Sequence, residues 1–343
     1  MNITFLLGNG FDLQLGMKTG YKSFLDWYVA QQTDDPDVAQ FREYLKDEKS
    51  QWWSDAEIAM GQYLGNFSDE NINIYFKNIR DFKLRLSEYL TLENLRYNIV
   101  EIPDVSDSFK AFLLKSAKDI MLRTENLSLD SRRWVNNTKI NFISFNYTDA
   151  IDRLIKVLGG RNSIIDTQNG YNTQLGAIYH VHGTLDSNLI MGVDNLDQLN
   201  TAQITNFTKL RRTLVKPIVN DELGRNEHDL AIGTIRNSDY LFFYGLSYGE
   251  SDKSWWQAIK KKLESDTTCQ IVLFTRSSDE SIRDIIPEDI LDYVSDKKDD
   301  FLTKIGITSE ENSYDNIRKR VFIIRNTERL NISIDNIKEP ASV

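Results

Sequence analysis

The short run Ile3-Thr4-Phe5-Leu6-Leu7 leads directly into Gly8-Asn9-Gly10-Phe11-Asp12. Its length and residue types suit a buried strand. A Gly-x-Gly placed straight after a strand lets the backbone turn sharply and lets amide N–H groups face an anion unobstructed. In open α/β sheets this edge of the first strand is where nucleotide phosphates most often sit. Gly-x-Gly alone is a common turn, and its neighbours in the sequence give it weight. Phe145-Asn146-Tyr147-Thr148, His180-Val181-His182-Gly183 and Gly245-Leu246-Ser247-Tyr248-Gly249-Glu250-Ser251-Asp252 each follow or end a candidate strand. Together the four segments read as one site assembled from strand ends.

After the first strand the pattern changes. Tyr21, Phe24, Leu25 and Tyr28 recur at helical spacing, as do Trp53, Ala56, Met60 and Leu64, with Glu57 beside them. Two further stripes run through Phe76, Ile79, Phe82, Leu86 and Leu90, and through Phe109, Phe112, Leu113, Ala117, Ile120 and Met121. Thr33-Asp34-Asp35-Pro36-Asp37 and Ile102-Pro103-Asp104 are natural breaks. Residues 21–126 therefore read as a helical insertion or lid. Strand signals return at Lys139–Phe145, Ala177–His182, Leu189–Val193, Tyr240–Tyr244, Ile271–Thr275 and Arg320–Arg325. Helices are expected over Asp149–Leu158 and Lys253–Leu263, and two more within 194–236 around Lys216-Pro217. Strands alternating with helices predict an α/β fold with a doubly wound parallel sheet. The expected division is a Rossmann-like nucleotide-binding core over 1–20 and 127–335, the insertion over 21–126, and a tail over 336–343.

The net charge of −10 argues against nucleic acid as a partner, since non-specific binding needs many Lys and Arg contacts to phosphate. Cys269 is the single cysteine, so no four-cysteine zinc site and no disulfide framework can form within the chain. No apolar run approaches the roughly 20 residues that span a bilayer. The N-terminus has no basic stretch before its short apolar run, unlike a signal peptide. The expectation is a soluble cytoplasmic protein.

Several residues could carry chemistry. A carboxylate beside bound pyrophosphate would be repelled, so Asp12 either accepts bonds from ribose hydroxyls or caps the next segment. Asn146 could fix a ribose hydroxyl or a water, or could simply form an Asx turn. His180 and His182 stand two apart and would share one face of a strand. The pair could begin a metal site with a further ligand such as His228, Asp186 or Asp194. Alternatively His182, beside Gly183, is a general base with His180 supporting it. Ser247 could bond a phosphate oxygen, and Ser251-Asp252 could be no more than an N-cap. Lys209, Arg211, Arg212 and Lys216 could contact phosphate, but read most simply as a solvated helix face.

These segments resemble the abortive-infection AbiH family of bacterial anti-phage proteins. The markers are Phe5–Asp12, Thr19-Gly20-Tyr21-Lys22-Ser23-Phe24-Leu25, Trp53-Ser54-Asp55-Ala56-Glu57, Phe145–Thr148, His180–Gly183 and Tyr244–Tyr248. More distantly, the order of a glycine loop, a strand-end Asn, a His-Gly and a Gly-x-Ser is similar to sirtuins and sirtuin-like NAD hydrolases. That resemblance implies a sirtuin-like fold in which Gly8, Gly10 and Phe11 line the NAD pyrophosphate and nicotinamide ribose, and Gly245 with Ser247 holds phosphate or adenosine ribose; Asn9 and Asp12 of the same loop are expected beside them at the cofactor. It implies Asn146 and His182 as the catalytic pair. NAD would be the substrate, cleaved at its nicotinamide–ribose bond, with no zinc or other metal. Protein-deacylating sirtuins carry a four-cysteine zinc module, which Cys269 alone cannot build, and this points to hydrolysis. Asp12 stands where those relatives carry a small hydroxyl residue. The expected role is an effector that depletes NAD in infected cells, inactive until an oligomeric change, a phage-derived trigger or a partner defence protein releases it. Two alternatives remain: a sensor of NAD or ADP-ribose that does not cleave, and a metal-dependent hydrolase or nuclease using His180 and His182.

Overall fold

The strand β1 (Asn2–Leu7) lies at the centre of a seven-stranded sheet whose order is β3 (Ile164–Gln168), β4 (Tyr171–His180), β2 (Thr138–Ser144), β1, β5 (Tyr240–Tyr244), β6 (Gln270–Thr275), β7 (Val321–Arg325). The computed structural model describes residues 1–48, 52, 55–99, 102, 104–123, 137–275 and 287–325. β2 and β5 flank β1 in parallel, so Phe5 stands level with Phe142 and Phe242. β4 and β3 extend the sheet on one side, and β6 and β7 on the other. Every pairing between these strands is parallel except the antiparallel β3–β4 hairpin. The chain is thus an α/β protein with a mostly parallel sheet.

Strands buried on both faces explain the near-continuous apolar runs. On one face Phe5 stacks with Phe242 at 4.6 Å and Phe142 at 5.7 Å between ring centroids. Against them pack Phe11 of α1 (Asn9–Gln14), Phe109 and Phe112 of α6 (Val105–Arg123), and Leu154 of α7 (Ala150–Val157). On the other face Leu6, Ile143 and Phe243 meet Ile235 of α10 (Glu227–Arg236) and Ile259 of α11 (Lys253–Ser265). Phe301 of α12 (Pro287–Lys304) and Ile317 of α13 (Tyr314–Lys319) complete that layer.

The helical stretch after β1 divides between two cores. α2 (Tyr21–Ala30), α3 (Pro36–Asp47), α4 (Ala56–Tyr63) and α5 (Ile72–Arg96) share an aromatic cluster that includes Phe24, Tyr28, Phe41, Trp52, Tyr63 and Phe82. That cluster continues into Met191, Val193, Leu210 and Leu214, not into the sheet. α6 belongs with the sheet. The insertion is therefore seated on residues 191–215, and this seating brings α4 to the strand ends.

Three local expectations differ from the observed structure. Leu189–Val193 forms no strand; Val193 makes only an isolated parallel bridge to Val215. Residues 194–236 hold three helices, α8 (Thr208–Leu214), α9 (Lys216–Glu222) and α10, rather than two. Pro217 begins α9 because it needs no N–H partner there, and the extended Val215 separates it from α8. β3 is an added edge strand, joined to β4 through Asn169 and Gly170 at φ 53° and 82°, the backbone of a tight hairpin. No helix among the described residues is long and apolar enough to cross a membrane. The expected tail over 336–343, the Trp53-Ser54 marker and the Pro103 break lie outside the described residues.

Candidate functional site

Where β1 ends, the chain passes unusually close to the end of β5. A Cβ built on Gly10 would lie 2.5 Å from the Gly245 Cα, and one on Gly8 would lie 2.5 Å from the Gly245 carbonyl oxygen. Gly245 adopts φ +68°, which side chains disfavour, and its own Cβ would meet Gly10 Cα at 2.5 Å. Three amides of this turn are engaged within the fold. Gly8 N–H donates to the Tyr244 carbonyl at 3.0 Å, Gly10 N–H to Gly245 at 2.9 Å, and Phe11 N–H to Gly8 at 2.9 Å. The glycines serve backbone approach, and these three donors do not point at a ligand. Gly245→Ala is expected to destabilise the protein by about 3 kcal/mol, combining left-handed strain with a backbone clash. An unchanged urea midpoint for that variant would contradict the close approach.

Asp12, on α1, neither caps a helix nor projects into solvent. It is 1% exposed and accepts bonds from Asn146 Nδ2 at 2.9 Å and from the Thr148 hydroxyl at 2.6 Å. Asn146 Nδ2 also donates to the Gly8 carbonyl at 3.0 Å. Both amide hydrogens of Asn146 are thereby committed, and Oδ1 is what it retains to offer. Asp12, Asn146 and Thr148 tie the turn after β1 to the turn after β2. Burial pushes the Asp12 carboxyl up to about 7, against the opposing pull of the Thr148 and Asn146 bonds.

Beyond β4 the chain turns at Gly183, and His182 comes to rest against Phe145, ring to ring at 5.5 Å. His182 Nε2 meets Asp252 Oδ1 at 2.9 Å. Asp252 sits at the N-cap position of α11, yet its side chain makes no cap bond. It turns instead to His182 and to Lys216 Nζ, 2.7 Å away. Lys216 is 4% exposed, not part of a solvated face, and its ammonium also holds Glu57 Oε2 at 2.8 Å. Asp55 caps α4 through the N–H groups of Glu57 and Ile58 and accepts from the Ser251 hydroxyl at 3.1 Å.

With Lys216 behind its wall, a cavity of about 440 Å³ opens among these groups. Its floor is the turns at Gly8, Asn9, Gly10 and Asp12, at Phe145–Thr148, and at Gly245–Ser247. His182, Ser251 and Asp252 form one wall; Tyr21, Lys22, Asp55, Glu57, Leu86 and Leu90 of the helical insertion form the other. A family model, bacteriophage abortive infection AbiH, matches residues 4–274. The chain belongs to the AbiH family. No curated protein matches it. The matched span contains every residue lining the cavity of this AbiH chain, and membership gives it a role in abortive infection by bacteriophage.

Of the residues singled out in the sequence, the AbiH cavity brings together Gly8, Asn9, Gly10, Asp12, Asn146, His182, Gly245 and Ser247. Phe11 is not at the cavity; it is buried in the sheet core, edge-on to Tyr244. His180 does not support His182. It pairs with Asp152 of α7, Nε2 to Oδ2 at 2.6 Å, so the two histidines engage different carboxylates. Among the described residues no group of three or more His, Cys, Asp or Glu is placed to hold a metal ion. Glu57, Lys216 and Asp252 were missed as a set. Their spacing carries no motif, because Lys216 reaches the site only through the bridge of Val193 to Val215.

The wall of the AbiH cavity is electrostatically organised. Burial alone would raise the Asp252 carboxyl, but the Lys216 ammonium and His182 outweigh it and hold it well below the usual range. Burial would likewise lower Lys216, and the Asp252, Glu57 and Asp194 carboxylates overturn that, keeping it charged. Burial pushes Asp55 upward. An ionised Asp252 accepts from His182 Nε2–H, which leaves Nδ1 as the basic nitrogen.

Proposed function

We propose that this AbiH protein binds NAD across the strand ends and hydrolyses its nicotinamide–ribose bond. In this reading the sheet is a doubly wound, sirtuin-like nucleotide-binding core. One observation carries it: an imidazole on the cavity wall, backed by a buried carboxylate that fixes its tautomer, beside a strand-end asparagine. Such an orienting carboxylate is how a histidine is prepared to accept a proton. Nicotinamide leaves as a neutral base from a pyridinium, so the leaving group needs little acid help. The protein's task is to orient the ribose and stabilise an oxocarbenium-like state. His182 Nδ1 would take the proton of the attacking water, and Asn146 Oδ1 would accept from a ribose hydroxyl. The dinucleotide would rest on the turns of Gly8–Asp12 and Gly245–Ser247, with the insertion excluding water.

The biological reading follows from that chemistry. Loss of cytoplasmic NAD would stop growth of an infected cell before the phage matures. Constant activity would kill the host, so a phage-derived trigger, a partner defence protein or a change of homo-oligomer would control it. The test is to incubate the purified full chain with NAD, with and without extract of phage-infected cells, and to measure released nicotinamide. Release in either arm supports hydrolysis. Binding by calorimetry without release in both arms would replace it with the second reading, a sensor of NAD or ADP-ribose. The commitment of both Asn146 amide hydrogens to Gly8 and Asp12 favours that second reading.

A further inference from the structure

We propose that Lys216 and Glu57 are positioning residues that set the protonation and tautomer of His182 through Asp252. The geometry is a continuous chain of buried charges. His182 Nε2 and Lys216 Nζ share one atom, Asp252 Oδ1, at 2.9 and 2.7 Å. Lys216 is divided between that carboxylate and Glu57 Oε2 at 2.8 Å. Glu57 is itself fixed on its other oxygen by the Gly192 N–H at 3.0 Å and the Tyr147 hydroxyl at 3.3 Å.

Charge counting shows what the arrangement does. Two carboxylates meet one ammonium, so one negative charge is left, and His182 Nε2–H answers part of it. Lys216 works against protonation of His182, and Glu57 tempers Lys216. The other groups about this wall are Asp55 beside Ser251, Asp194, which also acts on Lys216, the buried amine of Lys83, which acts on both Glu57 and Lys216, the hydroxyl of Tyr21, which faces Glu57, Asp55 and Asp252, and the rings of Phe145 and Tyr147. Buried ion pairs are a poor way to gain stability, because desolvation offsets most of their attraction. A three-charge chain ending on an imidazole at a cavity wall is better explained by control of that imidazole.

Glu57 also gives the chain a second property. It lies on α4 of the insertion, whereas Lys216 and Asp252 start α9 and precede α11. The proton state of His182 is thereby set from both walls of the cavity. Any shift of the insertion away from residues 191–215 would withdraw Glu57 and leave Lys216 facing Asp252 alone.

The link to turnover rests on the reading of His182 as a base; the electrostatic claim does not. The chain contains three histidines, so His182 can be followed by NMR in histidine-labelled protein, assigned with His180→Ala and His228→Ala. Lys216→Met is expected to raise the His182 midpoint by a unit or more, about a tenfold loss of neutral imidazole below it. Glu57→Gln is expected to move it down. Opposite shifts support the relay, because general loosening would move both variants the same way. Shifts in one direction, or none, would overturn it. If circular dichroism shows that Lys216→Met does not fold, the downward shift in Glu57→Gln decides alone. Opposite shifts with no nicotinamide release from the wild type would keep the relay and end the hydrolysis reading. Release with an unmoved imidazole would do the reverse.

Discussion

Replacing His182 with alanine is expected to lower nicotinamide release by a factor of about 10²–10⁴, the usual worth of a positioned general base. The loss should fall on turnover more than on NAD affinity, because the imidazole is assigned to the proton and the turns to the dinucleotide. The fold should survive. Asp252 keeps its Lys216 partner, so no buried carboxylate is stranded by the truncation. His180→Ala is the informative control. His180 is bonded to Asp152 and is not among the cavity-lining residues, so its removal should leave release within a few-fold of wild type. Equal losses in the two variants, or full activity in His182→Ala, would remove His182 from the role given to it.

The second large effect is on stability and its dependence on pH. Asp12 has a folded value of about 7 against 3.8 for the free side chain, the difference arising from burial. Between these values the folded protein holds a proton that the unfolded chain has lost. The stabilisation is complete below about pH 4 and is lost as pH rises through 7. Three units correspond to about 4 kcal/mol across that window. The contact can serve either state: the Thr148 hydroxyl donates to a carboxylate and accepts from a carboxylic acid. Asp12→Asn keeps the shape and carries no charge, so it should abolish this component of the slope. At pH 8 the variant should be the more stable protein; near pH 4 the two should be close. Urea unfolding over pH 4–8 measures both, and an identical slope in the variant would show that Asp12 is ionised in its buried setting.

Much of the scaffold was legible because its signals are local. The apolar runs at β1, β2, β5 and β6 could hardly be anything but buried strands, and each was located to within a residue or two. The glycines at 8, 10 and 245 were recognised as special, but for a reason the structure changes. They bring two backbones within contact, with the Gly8, Gly10 and Phe11 amides taken up inside the turn, and only the neighbouring strand in space reveals that. The edge strand β3 does carry a local mark in the sequence: Asn169-Gly170 is a hairpin signal, though the flanking run is short and only partly apolar. Lys216 was not. A lysine followed by proline at a helix start looks solvent-facing in one dimension, and only the packing of Val193 against Val215 buries it. Asp252 is open in the sequence for a related reason, since an acidic residue before a helix has a ready local explanation that hides a distant one. Phe11 shows the opposite error: proximity in a motif suggested a ligand contact for a side chain that the core claims.

The cavity draws its walls from residues as far apart in sequence as Gly8 and Asp252, and this has a consequence during synthesis. A chain still being translated possesses His182 long before it possesses the carboxylate that orients it. Strand β5 must also leave the ribosome and slide in next to β1 before Gly245 can meet Gly10. Such distant pairings form late. A polypeptide that stops short of Asp252 therefore carries the imidazole without its carboxylate partner, and the cavity is complete only once the far half of the sheet has been added.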